Sequence, residues 1–266
     1  MKNVRISTLL LPIILFGCKV NIDKKDLTQF VNPLIGTAKT TTIAGLRHGS
    51  GTEQNAMIQP SVTMPFGMTN WCAQTNNVEK KCTSSYYYKD SIMTGFRGSH
   101  WLSGSCTQEY GSFAVMPVSG ELVCSPGKRG STFSHNDEIT KPDYYKINLQ
   151  DYNIVAEMTA TTRCGIFQFT FNNEGPAHII INPNSDEAQG YVEVIPEKNE
   201  IVGYNPIHRI YQGWGKPAGF SGYFVMKIEK APESFGVYSD DNFFSGQSTI
   251  DNQPNLGAYF SFNVRK

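Results

Sequence analysis

The strongest pattern along the chain has period two. In Phe167-Gln168-Phe169-Thr170-Phe171 aromatic and polar residues alternate, so the three phenylalanines share one face and a half-buried strand is predicted. Ile179-Ile180-Ile181 is apolar on both faces, which suits a strand in the middle of a sheet. Further strand signals run from Phe113 to Val118, Asn153 to Thr161, Ile166 to Phe171, His178 to Ile181, Tyr191 to Ile195, Tyr223 to Ile228 and Ala258 to Val264. Turn-forming clusters such as Asn172-Asn173-Glu174-Gly175-Pro176 and Ser125-Pro126-Gly127 punctuate them. No long window places apolar residues at i, i+3, i+4 and i+7 with good caps. The expectation is an all-β fold, a large antiparallel β-sandwich, rather than a parallel α/β sheet.

Composition agrees with that expectation and narrows the function. The 266 residues include 24 Gly and 14 Pro, with 12% aromatic and 17% charged residues, a mix that suits many strands and turns and argues against a helical bundle or a disordered tail. Lys plus Arg equals Asp plus Glu at 23 each, and no basic cluster is interleaved with aromatics, so nucleic acid is not an expected partner. HExxH, GxSxG, Walker and GxGxxG patterns are all absent.

The first residues read as a processing signal. Lys2 and Arg5 precede the apolar run Leu9 to Phe16, which is too short to span a bilayer and ends in Leu15-Phe16-Gly17-Cys18. That ending looks like a bacterial lipobox, with 1–17 as a lipoprotein signal peptide, Cys18 as the lipidated residue and 18–29 as a polar tether; an ordinary secretory peptide with a chance cysteine is the alternative. The implied location is outside the cytoplasm, held to a membrane through the lipid only. Five cysteines remain, at 72, 82, 106, 124 and 164. Cys72 and Cys82 are the nearest candidates for a pair, at least one thiol stays unpaired, and small buried core residues account for the set as well.

Five segments in order carry a family pattern. They are Phe30-Val31-Asn32-Pro33-Leu34-Ile35-Gly36-Thr37; Met64-Pro65-Phe66-Gly67-Met68; Ile92 to His100 with Trp101-Leu102-Ser103-Gly104 and Glu109-Tyr110-Gly111; Phe133 to Glu138 with Pro142 and Tyr144-Tyr145; and Ala156 to Gly165. Together they resemble the N-terminal domain of glycoside hydrolase family 92, the calcium-dependent exo-α-mannosidases, over residues 30–266. Two stretches depart from the family pattern: Glu53 to Val62, and the segment between His100 and Tyr110, which is one residue longer. Both fall near the substrate-facing edge that the resemblance implies, so they bear on linkage specificity rather than on fold.

The resemblance implies a galactose-mutarotase-like supersandwich and leaves open whether its last strands fall within the chain. It also implies an inverting mechanism whose glutamate acid, aspartate base and most calcium ligands belong to a helical barrel. The strand-like segment before Arg265-Lys266 is the last one here, so no catalytic pair and no metal ligand is expected within these residues. Sugar contact is expected instead from His100, Trp101, Arg97 and Glu109, because a sugar ring stacks on an aromatic plate while its hydroxyls need directed partners. For Trp101 core packing fits equally, and Glu109 also reads as a structural partner to a nearby donor. His135 is expected to fix its own loop, and Asp137 and Glu138 to form a solvated turn. Trp71 and Trp214 read as packing residues, and His48, His178 and His208 as structural or surface residues. Tyr86-Tyr87-Tyr88 fits either a stacking ridge or a strand with alternating faces. Three functions follow: part of a truncated or split mannosidase, inactive alone; a module docking on a separately encoded catalytic barrel; or a stand-alone lipoprotein that binds α-mannoside glycans.

Overall fold

A computed structural model describes residues 26–48, 58–75, 84–99, 113–183, 188–208 and 216–265. Within them the chain is all-β and antiparallel, with a single six-residue α-helix, Ile43–His48. Seven strands make the main sheet: β1 (Asn70–Gln74), β3 (Gly95–Ser99), β4 (Phe113–Ser119), β10 (Gly175–Pro183), β17 (Leu256–Val264), β14 (Ser234–Ser239) and β15 (Asn242–Ser245), in that spatial order. Two four-stranded sheets lie against it. One is ordered β13 (Pro217–Lys227), β12 (Glu200–His208), β11 (Tyr191–Ile195), β16 (Thr249–Asp251) and packs on β10, β14 and β17. The other is ordered β6 (Ile139–Lys141), β7 (Tyr144–Leu149), β8 (Ile154–Ala160), β9 (Gly165–Phe171) and packs on β1 and β4. A short ribbon of β2 (Ile92–Met93) and β5 (Ser131–Thr132) completes the set. The result is a sandwich whose second layer is split in two.

Local sequence explains these strands well. β11 has the predicted bounds, and β9 buries one face in part, with Phe167, Phe169 and Phe171 turned inward and Ile166, Gln168 and Thr170 outward. The isoleucine run sits in β10, the fourth of seven strands, between β4 and β17. Ile180 and Ile181 point to opposite faces and both are fully buried, so this central strand is covered on both sides as its apolar run requires. β13 begins six residues before the predicted start, in a stretch whose partner strand β12 carries a register irregularity between Pro206 and His208. The segment from Tyr86 to Tyr88 is not a strand: Tyr86 is fully buried and Tyr88 is exposed within a turn.

An aromatic seam joins the main sheet to the β6–β9 sheet. Phe96 of β3 meets Tyr145, Phe167 and Phe169 at ring separations of 6.4, 6.1 and 6.1 Å. Trp71 of β1 meets Phe167 and Phe113 edge-on at 5.3 and 5.6 Å, and its Nε1 donates to Thr69 Oγ1 at 3.1 Å. The expected packing role of Trp71 is therefore correct. The indole lies over Gly98 of its own sheet and against Gly165 of the facing one; a Cβ at either glycine would come within 2.4 Å of the ring. Each aromatic ring buried here contributes roughly 1.5–3 kcal/mol, and well-placed pairs add roughly 1 kcal/mol more.

Polar groups inside the sandwich are mostly spent on joining elements. The buried Arg129 guanidinium donates to Thr94 O (3.2 Å), Cys124 O (3.1 Å) and Asn182 Oδ1 (2.6 Å), tying β10 to two loops through neutral acceptors. His178 donates from Nε2 to Gly120 O (3.1 Å) and accepts from Ser261 Oγ (2.8 Å) at Nδ1. Burial holds its imidazole below the ordinary value, in keeping with a neutral, structural ring. Cys72 and Cys124 are buried and Cys164 is exposed; the suggested Cys72–Cys82 pair involves Cys82, outside the described residues.

Replacing Gly165 by Ala should cost about 2 kcal/mol by driving the indole off its seat. The check is the urea midpoint, and an unchanged midpoint would show that Trp71 is not clamped there.

Candidate functional site

Strand register places Ser99 and Phe113, the described residues that flank segment 100–112, at one end of the sandwich. Gly98 pairs with Phe113, and Phe113 with Pro183, in one row across β3, β4 and β10. The chain leaves this row at Ser99, beside Asn70, and returns at Phe113. His100, Trp101 and Glu109 belong to that excursion and lie outside the described residues, as does Cys18. Arg97 is described: it sits on β3 between Cys72 of β1 and Ala114 of β4 and is only 2% exposed, and strand alternation turns it to the face of the main sheet opposite Phe96 and Gly98, away from the aromatic seam. Phe224 of β13 stacks on Phe113 at 4.6 Å, which brings the β12–β13 hairpin to the same region. His48, His208 and Trp214 have side chains outside the described set.

A second constellation was missed by the expectation of a solvated turn. Glu138 follows a 3-10 turn, His135–Asp137, that Ser134 opens by accepting from the Asn136 N–H. Its carboxylate is fully buried, not solvated. It accepts from Tyr86 Oη at 3.0 and 2.9 Å, from Tyr145 Oη at 2.7 Å and from His135 Nδ1 at 2.6 Å. His135 Nε2 donates to Tyr88 O at 2.6 Å, and the imidazole stacks on the Tyr88 ring at 4.0 Å with a 7° tilt. The two ring nitrogens thus face the Glu138 carboxylate on one side and a backbone carbonyl on the other. His135 thus fixes its loop, as expected, and does so by clamping Tyr88 to the buried carboxylate. The sequence signal was available: His135 and Glu138 stand three apart, one turn of helix, with three tyrosines at 86–88 and two at 144–145 to supply hydroxyls.

The carboxylate also acts on its partners. Burial, then the Glu138 charge and hydrogen bond, push the Tyr86 and Tyr145 hydroxyls well above the ordinary tyrosine value. Tyr144 donates to Glu157 in the same way and is pushed up to about 12, mainly by burial.

Tyr88 also lines a recess of about 680 Å³ together with Asn32, Gly36, Lys39, Thr40, Thr41, Thr42 and Ile58. This recess lies past the other end of β1, where Thr75 N–H donates to Ser85 O and Tyr88 N–H donates to Thr37 O. Its hydroxyls, one ammonium and one aromatic ring backed by His135 suit a neutral polar ligand. Among the described residues no group of three or more His, Cys, Asp or Glu side chains gathers to hold a metal ion. Nor is any helix among them long and apolar enough to cross a membrane.

The profile of the Glycosyl hydrolase family 92 N-terminal domain matches residues 30–266. The chain belongs to glycoside hydrolase family 92. Among solved structures it is similar to the family GH92 inverting mannosidase BT2199 of Bacteroides thetaiotaomicron VPI-5482, with 28% identity, a TM-score of 0.71 and coverage of 90% of this chain and 29% of that one. It is also similar to the family GH92 α-mannosidase BT3965 of Bacteroides thetaiotaomicron, with 25% identity, a TM-score of 0.69 and coverage of 89% and 31%. This family 92 domain therefore spans about a third of the length of those solved relatives. No curated protein matches the chain.

Two outcomes follow for the buried carboxylate. Glu138→Gln leaves a hydroxyl or imidazole donor facing an amide N–H₂, and should lower stability by about 3 kcal/mol in chemical denaturation. The second is alkaline instability. A tyrosine whose native value is raised stabilises the fold fully below its ordinary 10.0 and loses that contribution as pH rises through the raised value, about 12 for Tyr144 and Tyr191. The unfolding free energy should therefore decline steadily above pH 10, and Tyr86→Phe should flatten part of that decline.

Proposed function

We propose that this chain supplies the substrate-facing, non-catalytic part of an exo-acting α-mannosidase used in glycan breakdown. The observation that carries this reading is the family match over residues 30–266 in a chain spanning about a third of its solved mannosidase relatives. An inverting hydrolysis needs two carboxyl groups roughly 6.5–9.5 Å apart with a water between them. The described buried carboxylate, Glu138, and its neighbour in motif, Glu157, are both committed to tyrosine hydroxyls, which supports an acid–base pair supplied from outside these residues. Calcium, in this reading, belongs with that pair. His100 and Trp101 meet the α-mannoside from the excursion between β3 and β4, with Glu109 beside them and Arg97 supporting its base. Cys18 carries the lipid that holds the exported protein at a membrane surface, and no nucleic acid is involved.

The recess beside Tyr88 favours a second reading, a lipoprotein that captures glycan by itself. Two assays separate them. The purified chain should release no mannose from α-mannosides, with or without a chelator, and should show no calorimetric binding of mannosides at millimolar sugar. Mannose release by the chain alone would overturn the main reading, and binding without release would move the assignment to glycan capture.

A further inference from the structure

We propose that Phe66 is a preformed knob that seats in an apolar pocket of another polypeptide surface, namely the part of a family 92 protein lying beyond this domain. The inference rests on the functional reading above and names the contact through which the two parts meet.

Met64-Pro65-Phe66-Gly67 is a tight turn closed by the Gly67 N–H donating to Met64 O at 2.8 Å. Proline in the second place and a positive φ in the third define its type, and the third place normally takes Gly or Asn. Phe66 occupies it at φ +58°. The glycine stands one place later, where a Cβ would lie 2.9 Å from Met64 O, so the residues cannot simply exchange positions. Both shoulders of the turn are pinned: Thr63 N–H donates to Pro142 O at 2.9 Å and Met68 N–H to Thr162 O at 2.7 Å. The ring at the tip is 102% exposed, with Met64 and Met68 exposed on either side.

Within this domain alone, both the backbone conformation and the bare ring are unfavourable. An aromatic anchor on a rigid stalk is what a contact centre in a partner pocket requires, and methionines make an adaptable apolar rim. A sugar is disfavoured as the occupant because it needs free hydrogen-bonding groups beside the ring. The two hydroxyls of the turn's own segment are engaged, Thr63 Oγ1 donating to Thr69 O and Thr69 Oγ1 accepting from Trp71 Nε1, and the residues flanking the ring are Pro65, Met64 and Met68. What covers the knob follows from the relatives. In BT2199 and BT3965 the matched region is 29% and 31% of the chain, so about two thirds of each relative lies beyond it and offers a protein surface for the knob. The turn stands at the end of β1 where Asn70 pairs with Ser99, the last described residue before His100.

Two measurements test the knob. On the purified full chain, Phe66→Gly should raise the melting temperature by roughly 2–4 °C by relieving the turn and removing a bare ring; a fall of that size would show that the ring packs within its own domain and would overturn the inference. In cells that make the protein, a photo-crosslinking phenylalanine analogue is placed at position 66, with the same analogue at Tyr223 and Phe244 as controls on other exposed faces. The crosslinks from position 66 should yield family 92 peptides lying outside residues 30–266, in clear excess over the controls. Family 92 peptides from a control position but not from 66, or glycan attached at 66, would overturn the knob and leave the functional reading standing. No family 92 peptide from any of the three positions would overturn both.

Discussion

The aromatic seam between the main sheet and the β6–β9 sheet is the contact on which the rest of the sandwich depends. Phe96, Trp71, Phe113, Tyr145, Phe167 and Phe169 come from five strands of two layers and meet around one buried surface. The seam requires bare backbone at Gly98 and Gly165, because the indole fills the space a side chain would take. It sits directly beneath Ser99, where the chain departs on the excursion that carries the expected sugar contacts. Rigidity at that point is what a site on a long loop needs, since the loop's anchors decide where its side chains can reach.

Several residues that look chemical in the motifs prove to be architectural. Glu138, His135, Tyr145 and Tyr86 form one buried polar cluster, and Tyr144 with Glu157 forms a half-buried pair. A buried carboxylate is costly unless every lone pair is engaged, and here four donor contacts engage it. The cluster ties the turn at 135–138 to β7 and to the segment 86–88, and it backs the exposed Tyr88 ring that faces the recess. Its influence runs through position: it decides where the aromatic wall of the recess stands.

The two ends of β1 thus carry different surfaces. One end has the recess walled by Tyr88 and the threonines of the N-terminal segment. The other has the excursion from β3 and the strained turn bearing Phe66. An apolar tip and a row of loop anchors side by side suit a face that is covered by protein at its rim and open to ligand within it. That arrangement is in keeping with a domain that makes up only a third of its solved relatives.

Sequence by itself determined the fold class and most of the strand positions, because alternation on one face and turn residues between runs are local signals that packing then reinforced, as in β9 and β11. It also determined the family, since five ordered segments are read without knowing where they meet. Tertiary structure alone decided what those segments do. Whether Glu138 is solvated depends on tyrosines seven and 52 positions away along the chain. Whether Arg97, on the face of β3 opposite the seam, meets solvent or is buried depends on distant segments that cover that face. The exposure of Phe66 depends on a turn whose shoulders are held by residues near 142 and 162. Burial is a property of non-local contacts, and a one-dimensional pattern reports which residues want to be inside without reporting which partners will enclose them.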